Sequence, residues 1–254
     1  MNYEYGLLGY PLGHSFSRAY FNNKFATEGI DAEYLNFELP NVDGLPQLLA
    51  EHPRLRGLNV TIPHKQAVIP FLDELSPEAR AIGAVNVIRI TQGGLHLKGF
   101  NSDIIGFVES IRPLLKPHHK RALVLGTGGA SKAICHGLEK LRIEWRYVSR
   151  KASALTGGAS GESFTYSDIT PALLADYTVI VNCTPLGMYP HIDTSPELPY
   201  AALSEHHLLY DLVYNPDITQ FMRQGRRFGA TVKNGLEMLH LQARASWNFW
   251  NGKD

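Results

Sequence analysis

A chain of 254 residues is long enough for one large or two modest domains and can bury roughly 70–75% of its unfolded surface, so stability requires neither disulfides nor a structural metal. Lys plus Arg and Asp plus Glu balance at 24 each, which leaves no electrostatic footprint for nucleic acid or an acidic membrane surface. Cys135 and Cys183 lie in apolar runs and read as buried free thiols of a reducing cytoplasm; no basic-then-apolar leader and no apolar stretch near the ~18 residues of a membrane span are present.

Short apolar runs alternate with longer amphipathic segments, the signature of an α/β protein. Tyr5–Gly9 predicts a first strand, and a polar turn leads to a helix from about Ser17 to Glu28. Ala32–Glu38 predicts a strand, Leu45–Ala50 a helix and Gly57–Thr61 another strand. Pro63 precedes a helical stretch expected to run to about Leu72. Val85–Ile90 and Leu95–Gly99 bracket Gln92-Gly93-Gly94 as a hairpin. Asn101-Ser102-Asp103 reads as the capped start of a helix.

Pro113, Pro117 and the polar run to Arg121 form the expected link to a second half. There the strand Ala122–Leu125 leads into Gly126-Thr127-Gly128-Gly129-Ala130 and a helix from about Ser131 to Leu141. Strands follow at Trp145–Ser149, Thr178–Asn182 and Leu208–Leu212, then helices at Ile218–Gln224 and Leu236–Trp250.

The glycine loop between an apolar strand and a helix is the clearest chemical signal. Glycines let the backbone approach a pyrophosphate, and the helix start offers free N–H groups and a positive dipole end. NAD-binding proteins place an acid about 20 residues further on, against the ribose hydroxyls. Here the next strand ends in Ser149-Arg150-Lys151, and two cations suit a 2′-phosphate, so the reading is NADP rather than NAD. Solvated loop charges are the plainer alternative for Arg150 and Lys151.

The first half adds His14-Ser15-Phe16-Ser17, Asn59-Val60-Thr61, Lys65, Asn86 and Asp103. Strand alternation puts Asn59 and Thr61 on one face. Taken singly, Ser15 or Ser17 reads as a helix cap, Asp103 as a helix-start acid and Lys65 as a surface lysine. His118-His119 and His206-His207 are adjacent pairs whose side chains diverge, so they read as surface loop residues and no metal is expected. Tyr214, near the end of a short strand, reads as a ligand contact or as core filler.

Taken together the motifs resemble one family. Ser15-Phe16-Ser17, Asn59-Val60-Thr61-x-Pro63-x-Lys65, Gly83-Ala84-Val85-Asn86, Asn101-x-Asp103, Gly126-x-Gly128-Gly129-Ala130, Asn182-x-Thr184-Pro185-x-Gly187-Met188 and Asn234-Gly235-x-x-Met238-Leu239-x-x-Gln242 occur in order. The set is similar to shikimate dehydrogenases from near residue 5 to near residue 250. The resemblance implies a substrate-binding catalytic domain, 1–100 plus 236–254, a Rossmann-like NADP-binding domain, 101–235, and a cleft between them. It implies that Lys65 and Asp103 are the catalytic pair and that Ser15, Ser17, Asn59, Thr61, Asn86, Tyr214 and Gln242 bind substrate. Gly126, Thr127, Gly128, Gly129, Ala130, Ser149, Arg150, Lys151, Thr184, Leu212 and Gly235 would bind NADP.

The activity implied is reversible, NADPH-dependent reduction of 3-dehydroshikimate to shikimate, a cytoplasmic step toward chorismate and the aromatic amino acids, in a monomer or homodimer. A quinate or dual-specificity dehydrogenase and a catalytically inactive NADP-binding regulatory protein are the alternatives. The retained Lys65 and Asp103 argue against the second, and Arg150-Lys151 against an NAD-linked quinate enzyme. The sequence departs from the family at Arg18, where proline is usual, at Ser149-Arg150-Lys151-x-x-Ala154, which lacks a second arginine, at Asn234 and in the Gly157–Gly161 stretch.

Overall fold

The apolar runs at the start of the chain pair side by side. In the structure, a computed structural model that describes residues 3–13, 16–91, 96–151 and 163–253, β1 (Tyr3–Gly9) lies between β2 (Ala32–Glu38) and β3 (Leu55–Val60) and is parallel to both. Parallel neighbours need crossovers, which α1 (Phe16–Glu28) and α2 (Leu45–Glu51) supply. The short α3 (His64–Ala67), β4 (Glu74–Leu75) and α4 (Pro77–Ile82) precede β5 (Val87–Thr91) and β6 (His96–Phe100), which pair antiparallel as the hairpin expected; its turn lies outside the described residues. The sheet order is β2-β1-β3-β5-β6-β4.

Two local expectations change here. The helix after Pro63 stops at Ala67 and gives way to a 3-10 turn at Ile69–Phe71. Pro70 explains this, because it has no N–H for the next helical bond and disfavours helix at the residue before it. The pieces β4 and α4 are additional, although α4 carries legible signals: Ser76 accepts from the Ala79 N–H at 3.1 Å, Pro77 opens the helix, and Gly83 ends it at φ 66°.

The second sheet forms from α5 (Asp103–Ile111), β7 (Arg121–Leu125), α6 (Gly129–Lys140), β8 (Glu144–Ser149), β9 (Phe164–Thr165), α7 (Pro171–Asp176), β10 (Val179–Asn182), β11 (Leu208–Asp211), α8 (Gln220–Arg227), β12 (Thr231–Lys233) and α9 (Leu236–Trp250). Its order is β12-β11-β10-β7-β8-β9, with every adjacent pair parallel. Strand alternation deals its side chains to two cores. Ala122, Val124, Val179, Val181, Leu208 and Tyr210 enter one, while Leu123, Leu125, Ile180 and Leu209 enter the other. Burial on both faces is why these strands read as unbroken apolar runs.

The chain divides into two compact units, Met1–Ser102 with Ala243–Asp254, and Asp103–Gln242. The sequence division was 1–100 plus 236–254 against 101–235. The second break therefore falls within α9 rather than before it. The first turns of α9 belong with the second unit because Gly106 on α5 has no side chain; a Cβ there would lie 2.6 Å from the Met238 carbonyl oxygen. The last turns join an aromatic core of Tyr5, Phe21, Phe25, Tyr34, Phe100 and Trp250 in the first unit. There the Trp250 indole covers Gly57 and donates Nε1–H to the Ile88 carbonyl at 3.1 Å. Among the described residues, no helix is long and apolar enough to cross a membrane.

Candidate functional site

In the first unit the candidate residues gather where β1 and β3 end. The Thr61 N–H continues the ladder to the Leu8 carbonyl at 2.9 Å, and His64 N–H turns back to Thr61 O. His64 is buried and its Nε2 lies 2.6 Å from the Leu39 carbonyl, which can only accept, so that nitrogen carries the proton. Lys65, half-buried, is anchored through its backbone: its carbonyl accepts the Val85 N–H at 2.7 Å. Asn59 lies within β3 and Asn86 just before β5, and Ser17 lies in the first turn of α1. Ser15 lies outside the described residues.

Both asparagines are already heavily engaged. Asn59 Oδ1 accepts the Tyr34 hydroxyl at 2.8 Å, while Nδ2 donates to Ser246 Oγ at 2.9 Å and to the Asn86 carbonyl at 3.4 Å. Asn86, 4% exposed, donates Nδ2 to Ser102 Oγ at 3.0 Å and accepts the Ser102 N–H at 2.7 Å. Ser102 and Ser246 hydroxyls meet at 3.3 Å. Tyr34, Ser102 and Ser246 are thus members of the site that the sequence reading missed. Next to Ser102, Asn101 donates Nδ2 to the Ala84 carbonyl at 3.0 Å.

The second unit contains Asp103, buried at the start of α5, and half-buried Gln242 on α9. Tyr214, 39% exposed, follows β11. Its glycine loop leaves β7 at Gly126, whose φ of 92° requires glycine and whose Cβ position lies 2.9 Å from the Thr184 methyl. Gly128 is different: its φ of −72° suits any residue, and a Cβ on Gly128 or Gly129 would meet no atom within 4 Å. The protein's own packing does not demand these two glycines, whereas a ligand pressed against the backbone would. No side chain caps α6, so its first N–H groups are available to a pyrophosphate.

Because β8 runs parallel to β7, its end lies on the same side of the sheet as this loop. Ser149 closes the turn there, donating Oγ–H to the Lys151 carbonyl at 2.5 Å, and Arg150 and Lys151 are exposed. Burial raises the Tyr166 phenol, and the charge of Arg150 partly offsets that. These residues fit a dinucleotide carrying a 2′-phosphate.

The ends of β10 and β11 are tied together. Asn182 Oδ1 accepts the Thr184 N–H and Oγ–H at 3.0 and 2.6 Å, and the Leu212 N–H donates to the Asn182 carbonyl at 3.0 Å. The Thr184 hydroxyl therefore serves this turn, and Gly235 is explained by the Leu212 carbonyl, which a Cβ would approach to 2.1 Å. Asp211 accepts from Asn182 Nδ2, the Val213 N–H and the Thr219 hydroxyl at 2.9, 3.0 and 2.6 Å, yet burial still pushes its carboxyl up to about 6.

Of the histidine pairs, His118 and His206 are exposed as expected, and the other two are a correction. His119 and His207 are buried, and both His118 and His119 donate Nε2–H to the His206 carbonyl at 3.1 and 3.2 Å, so the two pairs meet. Among the described residues no group of three or more His, Cys, Asp or Glu is arranged to hold a metal ion.

The family model for the shikimate dehydrogenase substrate binding domain matches residues 7–88. A shikimate dehydrogenase (NADP(+)) of Desulforamulus reducens is 36% identical, over 97% of this chain and 89% of its own. The Thermus thermophilus shikimate 5-dehydrogenase, solved in complex with NADP(H) and shikimate, superposes with a TM-score of 0.82 at 31% identity, covering 98% of this chain and 94% of that one. The Listeria monocytogenes shikimate 5-dehydrogenase, in complex with shikimate and NAD, gives 0.88 at 26% identity, covering 100% and 93%. The chain belongs to the shikimate dehydrogenase family.

Proposed function

We infer that this protein is an NADP-dependent shikimate dehydrogenase, reversibly reducing 3-dehydroshikimate to shikimate on the route to chorismate and the aromatic amino acids. The observation that carries the reading is the glycine loop at Gly128 and Gly129, open where a Cβ would stand and followed by cations at the next strand end, in a chain that matches family members along nearly its whole length. Its setting is the cytoplasm, as a monomer or homodimer.

The unit built on β1–β6 binds substrate, and the unit built on β7–β12 binds NADP. Gly126, Thr127, Gly128, Gly129 and Ala130 would hold the pyrophosphate. Ser149, Arg150 and Lys151 would hold the 2′-phosphate, with Thr184, Leu212 and Gly235 lining the remainder. NADPH, when bound, supplies the hydride that the C3 ketone receives. The Lys65 ammonium faces the negative charge that develops on the ketone oxygen and delivers a proton from Nζ; in the reverse direction its neutral amine takes that proton back. Such positioned proton transfer contributes roughly 10²–10⁴ in rate. Asp103 orients Lys65 and accepts from a substrate hydroxyl. Ser15, Ser17, Asn59, Thr61, Asn86, Tyr214 and Gln242 hold the remaining hydroxyls and the carboxylate.

The test is reduced-cofactor formation by the purified protein with shikimate or quinate, each with NADP or NAD. Turnover with shikimate and NADP above the other three combinations is expected. Turnover confined to quinate or to NAD would replace this reading with the sister activity. NADP binding without turnover would make the protein a regulatory binder.

A further inference from the structure

We propose that Tyr34 is a positioning residue for the substrate, its hydroxyl determining which polar face Asn59 turns to the ligand. The proposal rests on the reading that Asn59 touches the substrate. Tyr34 itself is firmly placed. Its ring is fully buried and stacked on Phe21 with centroids 4.9 Å apart, and its backbone is clamped by Asn22 of α1, which accepts the Tyr34 N–H at 2.8 Å and donates to its carbonyl at 3.0 Å.

The proton inventory then follows from partners that can act in only one way. The Asn86 carbonyl only accepts, so the Asn59 atom facing it is Nδ2, which also donates to Ser246. Oδ1 consequently faces Tyr34, and because an amide oxygen only accepts, the phenol gives it its single proton. Among the described residues, Asn59 has both N–H groups engaged and one Oδ1 lone pair open. That face accepts a ring hydroxyl and repels a carboxylate oxygen, so Tyr34 and Ser246 together make Asn59 a hydroxyl reader. Without the phenol, the amide loses the partner that holds its oxygen in place.

The experiment compares Tyr34→Phe, Ser246→Ala, Asn59→Ala and the double variant Tyr34→Phe/Asn59→Ala in shikimate oxidation. Tyr34→Phe keeps the ring and its stack, and is expected to raise the KM for shikimate roughly tenfold, the worth of one uncharged hydrogen bond. The KM for NADP should move by less than about twofold, a split that general loosening of the fold would not produce. Ser246→Ala should shift the same constant, and the double variant should be no worse than Asn59→Ala alone, because the phenol acts through the amide. An unchanged shikimate KM in Tyr34→Phe, or full additivity in the double variant, while Asn59→Ala is impaired would overturn the positioning role. An unimpaired Asn59→Ala would instead remove the underlying assignment of Asn59, and the proposal with it.

Discussion

The side-chain amide of Asn182 donates to the carboxylate of Asp211 at 2.9 Å, with neither residue exposed, and so joins the end of β10 to the end of β11. Both strands release their loops at this point, one carrying Thr184 and the other Leu212 and Tyr214. A buried carboxylate in that position makes the unit's stability depend on pH.

Asp211 titrates near 6 in the folded protein against 3.8 when free, so the folded state holds its proton more tightly. The associated stability is fully present below about pH 4 and is lost as pH rises through 6, the loss reaching about 3 kcal/mol by pH 7.5. Relative to Asp211→Asn, the wild type is expected to gain about 1 kcal/mol between pH 7.5 and pH 5 in urea unfolding. A constant difference between the two proteins across that range would contradict the titration.

Glycines in the loop after β7 should separate binding from folding. Gly128→Ala and Gly129→Ala put a methyl into open space, so unfolding free energies should stay within about 0.5 kcal/mol of wild type while NADP affinity falls roughly tenfold or more. Gly126→Ala, at φ 92°, should instead cost about 1–3 kcal/mol of stability. Thermal unfolding alongside NADP titration distinguishes the two classes.

For Arg150→Ala the expected result is a roughly tenfold loss of kcat/KM with NADP and little change with NAD, since only the 2′-phosphate needs the planar cation. Equal losses with both cofactors would move Arg150 out of phosphate recognition.

Lys65→Met should lower kcat by roughly 10²–10⁴. Its backbone bond to the Val85 N–H survives the substitution, so the melting temperature should change little. A variant with normal turnover would remove Lys65 from catalysis.

At the end of α9, Gly57→Ala would bring a Cβ to 2.3 Å from Trp250, and overpacking of this kind costs about 1–3 kcal/mol. Trp250→Ala, which empties the site and removes the indole bond to the Ile88 carbonyl, should cost about 3–5 kcal/mol by urea unfolding.

Much of this was legible in the chain. Ala122–Leu125 announced a strand buried on both faces, Leu236–Trp250 a final helix, and the spacing of Gly126, Gly128 and Gly129 a tight loop between strand and helix, because each signal lies within a few consecutive residues. The two- and three-residue strands β4, β9 and β12 were not legible, since their extended form depends on a neighbouring strand. The helix after Pro63 was read too long because apolar Val68 to Leu72 outweighed Pro70.

Residue types therefore announced which side chains have the chemistry for a site: Lys65, Asp103, Asn59, Asn86 and Arg150. Tertiary structure alone decided which of their polar atoms remain open. Asn59 meets Tyr34 and Ser246, 25 and 187 residues away in sequence, and Asn86 meets Ser102 and not solvent. A hydrogen bond needs two atoms within about 3 Å. The pairing of distant segments is set by burial of the whole apolar surface, so local pattern shows the donors and acceptors and only the packed fold shows which of them meet.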